Sequence, residues 1–329
     1  MAGEFALIER LLGQRLCSPS TTSDVLLGPG DDCALIATPI GGDAWAISTD
    51  MLVEGTHFLG TDDPVDLGWK TLAVNLSDLA AMGARPCYAT LAIAMTRDDM
   101  TKGWVDQFYA GFQECADRYE VTLIGGDMTR GPRTFCVTVI GIVSATKALK
   151  RSGAVINDDI WISGNPGLAT LSLWDKQGKI RLPENLRPQC HVALHHPQPR
   201  IELGRALLGQ AHSCLDVSDG LLQDLKHITQ ASDLRAELIQ SALPKAPQGI
   251  DHSTWMAALL GGGDDYELLF TAPAANRQAL ATVSSQLNLP LHRIGTMLPG
   301  NEEGTIELVD SEHQPIDLSR ISAGFDHFA

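Results

Sequence analysis

Short apolar segments with strand character alternate with amphipathic helical segments along most of this 329-residue chain. Strands are predicted at residues 44–49, 87–95, 121–124 and 134–143, the third being broken by Gly125-Gly126-Asp127. Apolar residues at helical spacing predict a buried helix over residues 64–81, and Asp98 supplies the N-cap signal for a second. This alternation is typical of α/β (α+β) proteins, and the length exceeds that of one ordinary domain.

A polar junction at residues 146–159 is followed by a second segment of the same style. Its strands are predicted at residues 160–163, 213–217, 266–271, 293–296 and 305–309, and its main helices at 218–231 and 274–287. We therefore predict two domains, residues 1–147 and residues 148–329. The first residues carry Phe5, Ile8, Leu11 and Leu12 at helical spacing, which predicts a short amphipathic helix.

The charge balance limits the possible partners. The chain has 24 basic and 40 acidic residues, a formal net charge of −16. Such a field repels nucleic acid and anionic membrane surfaces, so we expect neither as a main partner. No apolar run approaches the roughly 18–20 residues that span a bilayer. The seven cysteines include no CxxC pair, which fits the reducing environment of the cytoplasm.

Acidic residues follow the predicted strands, often beside glycine. They are Asp31 and Asp32 after Gly30, Asp50 after Ser48-Thr49, Asp127 after Gly125-Gly126, Asp216 and Asp219 around Ser218, and Asp264 after Gly263. Each alone could be a turn former or a helix cap. Together they favour a ligand site, because ligands collect at the carboxyl ends of strands in α/β sheets. Mg²⁺ prefers oxygen ligands and bridges carboxylates to phosphate oxygens, so the pattern predicts a Mg²⁺–phosphate site.

Asp78 differs from the others because it lies inside an apolar helix. A carboxylate there must be paired, protonated or bound to a metal ion. Ser48 and Thr49 could add hydroxyl or backbone oxygens, and Gly125 and Gly126 let the backbone approach a phosphate. The chain contains neither GxxxxGK[ST] nor GxGxxG, so a P-loop and a dinucleotide site are not supported.

Seven segments together resemble the thiamine-monophosphate kinase family. They are GPGDDCA (28–34), STDMLVEGTHF (48–58), NLSDLAAMGARP (75–86), LIGGDMTRGP (123–132), LDVSDGLLQDL (215–225), GGDDYELLF (262–270) and FDHFA (325–329). The wider superfamily is similar to aminoimidazole ribonucleotide synthetase and selenophosphate synthetase. The resemblance implies an N-terminal ATP- and Mg²⁺-binding domain that dimerises through its sheet, and a C-terminal α/β domain that completes the site.

The resemblance also implies roles for individual residues. Those that would hold several Mg²⁺ ions are Asp32, Ser48, Thr49, Asp50, Asp78, Asp127, Asp216 and Asp219. Those that would contact ATP are Tyr109, Gly125, Gly126, Asp127, Arg151 and Ser218. Those that would line the thiamine monophosphate site are His57, Asp264 and Phe325. Outside this context, His57 reads as an ordinary half-buried histidine, Arg151 as part of a solvated basic run, and Phe325 as a terminal core contact.

The chain departs from the family pattern at a few positions. Asp264 replaces the usual Glu and is one methylene shorter, and Phe325 replaces a Trp or Tyr and lacks a polar tip. GPGDD replaces the commoner GIGDD, and the 164–168 loop lacks the expected Asp-Ser sequence.

Two alternatives to the kinase remain: an ATP-using superfamily member with another acceptor, and a non-catalytic nucleotide or thiamine-phosphate binder.

The implied reaction does not need a general base. A phosphate monoester oxygen is already a nucleophile at neutral pH, because its second pKa is near 6. The task is to bring two anions together in line and to stabilise charge on the transferred group. We therefore expect direct, metal-assisted transfer without a phospho-enzyme.

Overall fold

The computed structural model describes residues 24–28, 30–38, 41–101, 103–300, 304–319, 321 and 324. The helix predicted around Phe5 and the candidate substrate residue Phe325 lie outside these residues. No helix within the described ranges is both long and apolar enough to cross a membrane.

The first sheet has the strand order β1-β2-β3-β6-β4-β5. Its strands are β1 (Val25–Leu27), β2 (Ala34–Ala37), β3 (Asp43–Val53), β4 (Arg85–Met95), β5 (Thr122–Arg130) and β6 (Thr134–Ser144). All neighbours are antiparallel except β4 and β5, which run parallel at one edge. Side chains of β6 alternate between buried and half-buried, which is the pattern of a sheet with one face on the core.

Among the described residues, the helices that accompany this sheet are α1 (Pro64–Ala81), α2 (Arg97–Thr101) and α3 (Trp104–Arg118). Asp63 caps α1 by accepting a hydrogen bond from the Val65 N–H at 2.8 Å, and Pro64 occupies the first position, where no N–H is needed. Glycines let α1 and α3 touch through their backbones. A Cβ on Gly68 would lie 1.9 Å from the Phe108 carbonyl oxygen, so no larger residue fits there.

The second sheet has the order β12-β9-β11-β7-β10-β8 and is antiparallel except for β12 with β9. Its strands are β7 (Asp159–Ser163), β8 (Ser213–Asp216), β9 (Leu234–Ile239), β10 (Leu268–Ala272), β11 (Leu291–Pro299) and β12 (Ile306–Val309). The helices are α4 (Leu168–Lys176), α5 (Arg187–His195), α6 (Ile201–Leu207), α7 (Leu221–Ala231), α8 (His252–Gly261) and α9 (Arg277–Leu287). Short 3₁₀ turns occupy Gln240–Ala242 and Ala274–Asn276.

Several predictions about local structure are wrong. β5 does not break at Gly125-Gly126-Asp127 but continues to Arg130, because its pairing with β4 resumes at Gly125 after an irregularity at Ile124. Asp50 does not end its strand, since β3 continues to Val53. The helix expected from Asp98 is two helices, and Gly103, in the left-handed region at φ 74°, begins the second. The helix expected from Ser218 begins at Leu221.

The sheet topology also differs from the one on which the ligand-site prediction was based, in which ligands collect at the carboxyl ends of strands. Because nearly all neighbouring strands are antiparallel, the acidic residues do not share a row of parallel carboxyl ends. What brings them together is the packing of the two halves. One hydrophobic cluster runs from Cys33 to Leu280 and contains both Leu79 of α1 and Phe270 of β10. A second cluster lies wholly in the second half.

Candidate active site

Three carboxylates from three separate elements meet between the two halves. Asp32 follows the turn after β1, Asp78 lies in the last turn of α1, and Asp216 ends β8. One carboxylate oxygen of each lies within 4.8 Å of one of the others. The three residues are far apart in the sequence, so tertiary packing and not a local motif forms this cluster.

Burial and mutual repulsion act on the same three groups. Burial raises the pKa of Asp78 well above its usual value, and Asp50, Asp216 and Asp32 raise it further. Burial and the charge of Asp32 raise the pKa of Asp216 to about 7. Burial also raises the pKa of Asp32, against the opposing effect of Arg151. Like charges in a low-dielectric site disfavour ionisation. Arg151 opposes this effect at Asp32 but does not remove it, so the cluster is suited to a bound cation.

Polar groups from α1 and β3 complete the cluster. The Ser48 hydroxyl donates to Asp78 Oδ2 at 2.6 Å. The Asp50 N–H donates to the Asn75 side-chain oxygen at 2.9 Å, which fixes β3 against α1. Thr49 points the other way, because alternate side chains of a strand face opposite sides. Its hydroxyl lies 2.8 Å from that of Thr138 on the exposed face.

Arg151 links the start of the second half to the Asp31-Asp32 turn. Its guanidinium donates to Asp32 Oδ1 at 2.6 Å, and its backbone N–H donates to Asp31 Oδ1 at 3.1 Å. The other oxygen of Asp32 is buried without a hydrogen-bond partner. Burial and the Asp32 charge raise the pKa of Asp31 to about 6.

A backbone turn at residues 218–220 carries Ser218 and Asp219 beside Asp216. Asp224, one turn into α7, holds this segment. Its Oδ2 accepts hydrogen bonds from the N–H groups of Ser218, Asp219 and Gly220 at 3.0–3.1 Å. Three backbone donors converging on one buried carboxylate fix the shape of the turn.

Asp264 is held by residues from both halves. The ammonium of Lys70 on α1 forms an ion pair with Asp264 Oδ2, and the Tyr266 side chain is close enough to the same carboxyl group to be affected by its charge. Burial and the charges of Asp264 and Asp50 raise the pKa of Tyr266 well above its usual value. This arrangement therefore lies within electrostatic range of the carboxylate cluster.

Comparison with known proteins agrees with this architecture. Residues 30–143 match the family model described as "AIR synthase related protein, N-terminal domain". The thiamine-monophosphate kinase of Escherichia coli K12 is 41% identical over 331 residues, covering 99% of this chain and 98% of its own length.

The chain belongs to the thiamine-monophosphate kinase family. The family enzyme of Bacillus subtilis is 33% identical, covering 93% of this chain. A crystal structure of the thiamine-monophosphate kinase of Stenotrophomonas maltophilia K279a is similar with a TM-score of 0.76 and 40% identity, covering 92% of this chain and 96% of its own. AaThiL, solved in complex with AMPPCP and TMP, has a TM-score of 0.80 and 25% identity, covering 99% of this chain and 97% of its own.

The predicted site residues of this thiamine-monophosphate kinase family member fall into two groups. Asp32, Ser48, Asp50, Asp78 and Asp216 converge, and Arg151 and Ser218 lie on segments that adjoin them. Asp219 adjoins Ser218 on the same turn, and Asp264 is paired with Lys70. The described residues that are not part of the three-carboxylate cluster are Thr49, His57, Tyr109, Gly125, Gly126 and Asp127. Phe325 lies outside the described residues.

Three of the residues outside the three-carboxylate cluster make contacts of other kinds. Asp127 is exposed on β5, opposite Ala92 of β4. The exposed Tyr109 hydroxyl donates to Gln113 at 3.1 Å. The ring nitrogen Nδ1 of His57 accepts the Val53 N–H at 3.0 Å. None of these three contacts joins the residue to the three-carboxylate cluster.

Sequence reasoning missed four residues of the site. They are Lys70, Asn75, Asp224 and Tyr266. Lys70 and Asn75 carried a signal, because each is a polar residue inside the apolar helix that also holds Asp78, and each needs a buried partner. Asp224 and Tyr266 lie inside segments 215–225 and 262–270, which carry the family resemblance, but their residue types alone indicate no role, since a polar residue in a helix or a tyrosine after two acids is common.

Proposed function

We propose that the protein transfers the γ-phosphoryl group of ATP to thiamine monophosphate, giving thiamine diphosphate and ADP. The observation that carries the proposal is the convergence of two buried carboxylates, Asp32 and Asp216, with the half-buried Asp78 in a member of this family. AaThiL has been solved with AMPPCP and TMP, an ATP analogue and the proposed acceptor. Thiamine diphosphate formation would make this the last step of that cofactor's synthesis.

The residues of the cluster fit a hard divalent cation such as Mg²⁺. They offer carboxylate oxygens close together, one buried Asp32 oxygen has no hydrogen-bond partner, and their pKa values are raised by like charge. Mg²⁺ held by these residues would supply positive charge that offsets the negative charge of the phosphates. We propose as ligands the side chains of Asp32, Ser48, Asp50, Asp78, Asp216 and Asp219. Thr49 would contribute its backbone oxygen, because its hydroxyl faces Thr138, and Asp127 on β5 would hold a metal ion away from the three-carboxylate cluster.

The chain's own groups would bind and orient the two substrates. Gly125 and Gly126 expose backbone to ATP phosphates, and the remaining ATP contacts are proposed for Tyr109, Asp127, Arg151 and Ser218. His57, Asp264 and Phe325 are proposed to bind the thiamine moiety. Because the acceptor phosphate is itself the nucleophile, no side chain needs to remove a proton from it. Transfer is therefore direct, and a chiral γ-phosphorus should be inverted.

One incubation distinguishes the proposal from its alternatives. Protein, ATP, Mg²⁺ and thiamine monophosphate are combined, and the products are separated by chromatography. Equal amounts of thiamine diphosphate and ADP are expected. Binding of thiamine monophosphate without ADP would indicate a binding protein, whereas ADP formation only with another acceptor would indicate a different branch of the superfamily.

We further propose that the protein is a cytoplasmic homodimer. β5 lies at the edge of the first sheet, with Ile124 and Met128 more than half exposed. An apolar edge strand of this kind is a ready surface for a second copy. The described cysteines are all free thiols, in keeping with a reducing compartment. Sedimentation equilibrium should give twice the chain mass, and Met128→Glu should shift it toward the monomer.

A further inference from the structure

Lys70 is a buried cation whose ion pair crosses between the two halves of the molecule. It lies on α1, two turns before Asp78, and is 4% exposed. Its partner, Asp264, belongs to the segment between α8 and β10 of the second half. The same helix therefore carries both a member of the carboxylate cluster and the partner of a candidate substrate residue.

The segment that carries Asp264 has a strained backbone. Both Asp264 (φ 69°) and Tyr266 (φ 52°) occupy the left-handed region, which is uncommon for residues other than glycine. Hydrogen bonds hold them there, from the Asp264 N–H to the Ser218 carbonyl and from the Tyr266 N–H to the Val217 carbonyl, each at 2.8 Å. Strain of this kind persists where the surroundings fix it, and it concentrates at functional sites.

Stability alone does not account for the Lys70–Asp264 pair. Lys70 is 4% exposed, and removing its ammonium from water costs several kcal/mol, so apolar residues of similar size at both positions are often equally stable. The pair does, however, fix the direction of a short carboxylate whose side chain is 28% exposed. Asp264 has one rotatable bond fewer than the glutamate usual in the family; Lys70 holds the group it presents, and Tyr266 lies two residues further along the same segment.

We propose that Lys70 and Tyr266 are positioning residues that hold the Asp264 carboxylate toward the thiamine moiety of the acceptor. This inference rests on the proposed function and deepens it. The thiazolium ring of thiamine is cationic, and a carboxylate held in one direction is its complementary partner. Lys70 and Tyr266 act through Asp264 and therefore affect the acceptor rather than ATP.

Four variants test the inference by steady-state kinetics with each substrate varied in turn. Lys70→Met should raise the KM for thiamine monophosphate at least tenfold and the KM for ATP less than twofold. Lys70→Arg, which keeps the charge, should recover most of that loss, and Tyr266→Phe should raise the same KM about threefold. The control is Lys176→Met, which removes another ion pair between the halves, that of Lys176 with Asp62 at 2.6 Å. It should change neither KM.

The double variant Lys70→Met/Asp264→Leu separates folding from function. It leaves no unpaired charge, so its melting temperature should return toward wild type while the KM for thiamine monophosphate stays high. The inference is overturned if Lys70→Met changes both KM values equally, if it changes neither, or if the double variant recovers acceptor affinity. Absence of turnover by the wild-type protein in the same assay would instead overturn the proposed function, and the inference with it.

Discussion

At the residue scale, Asp78 shows how a site can work against stability. Burial, and then the charges of Asp50, Asp216 and Asp32, raise the pKa of its carboxyl group. Asp78→Asn removes a group whose ionisation the cluster disfavours and keeps an oxygen for the Ser48 hydroxyl. We expect it to raise the stability of the metal-free protein by about 0.5–2 kcal/mol, and to lower kcat about 100-fold or more. Thermal unfolding in EDTA and the rate of ADP release check the two parts.

The matched control is another buried acid outside the site. Asp159 is 1% exposed but is paired with Arg277 at 2.6 Å and with Arg293 at 3.3 Å. Asp159→Asn should therefore destabilise the protein by about 1–2 kcal/mol and leave kcat unchanged. If Asp78→Asn destabilised the protein as Asp159→Asn does, Asp78 would be a structural residue.

Asp216 predicts a pH dependence of stability in the metal-free protein. Its folded pKa of about 7 lies above the ordinary value of 3.8, because of burial and Asp32. Between about pH 4 and about pH 7, the folded state therefore keeps the Asp216 proton, whereas the unfolded state loses it. Its contribution to stability falls as pH rises from about 4 to about 7, by at most about 1.4 kcal/mol per pH unit.

The test compares the melting temperatures of the wild type and Asp216→Asn at pH 5 and pH 7.5 in EDTA. The variant should lose less stability toward pH 7.5. Burial lowers the pKa values of His195 and His227 to about 4, and the contributions of these histidines are the same in the wild type and the variant. Mg²⁺ should raise the melting temperature of the wild type more at pH 7.5, where the ligands are ionised. Equal pH profiles for the two proteins would contradict the assignment.

At the element scale, apolar periodicity predicted α1 correctly to the residue, and the N-cap Asp63 and Pro64 mark its observed start. It predicted β5 wrongly, because two glycines and an aspartate normally end a strand. In the fold, the absence of a side chain at Gly126 lets β5 pair with β4, because a Cβ there would lie 1.9 Å from the Leu91 carbonyl oxygen of β4. Local propensity contains no information about such a neighbour.

The turn at residues 218–220 should depend on the acceptor oxygens of Asp224. Asp224→Ala leaves three backbone N–H groups without their partner and should cost about 2–3 kcal/mol. Because Ser218 lies on this turn, the KM for ATP should also rise. Asp224→Asn keeps one oxygen in place and should be milder in both respects. Equal effects of the two substitutions, measured by urea unfolding and kinetics, would refute a role for the hydrogen bonds.

At the scale of the whole molecule, the two sheets were foreseeable and their joint packing was not. The boundary at residues 147–148 stays a prediction, but the cluster that contains Leu79 also contains Leu207 and Phe270 from beyond it. The site depends on this packing, since Asp78 belongs to the first half and Asp216 to the second. Strand and helix patterns describe each half alone and do not indicate which faces will meet.

The shared core predicts that the halves unfold together. α6 approaches α1 so closely that a Cβ on Gly204 would lie 1.9 Å from the Ala80 carbonyl oxygen. Gly204→Val should therefore separate the helices and lower the melting temperature of the whole protein, still in a single calorimetric transition. Gly41→Ala, where a Cβ meets nothing within 4 Å, is the control and should change little. Two resolved transitions in the variant would mean that each half is stable without the other, and that the site forms by docking of two independent domains.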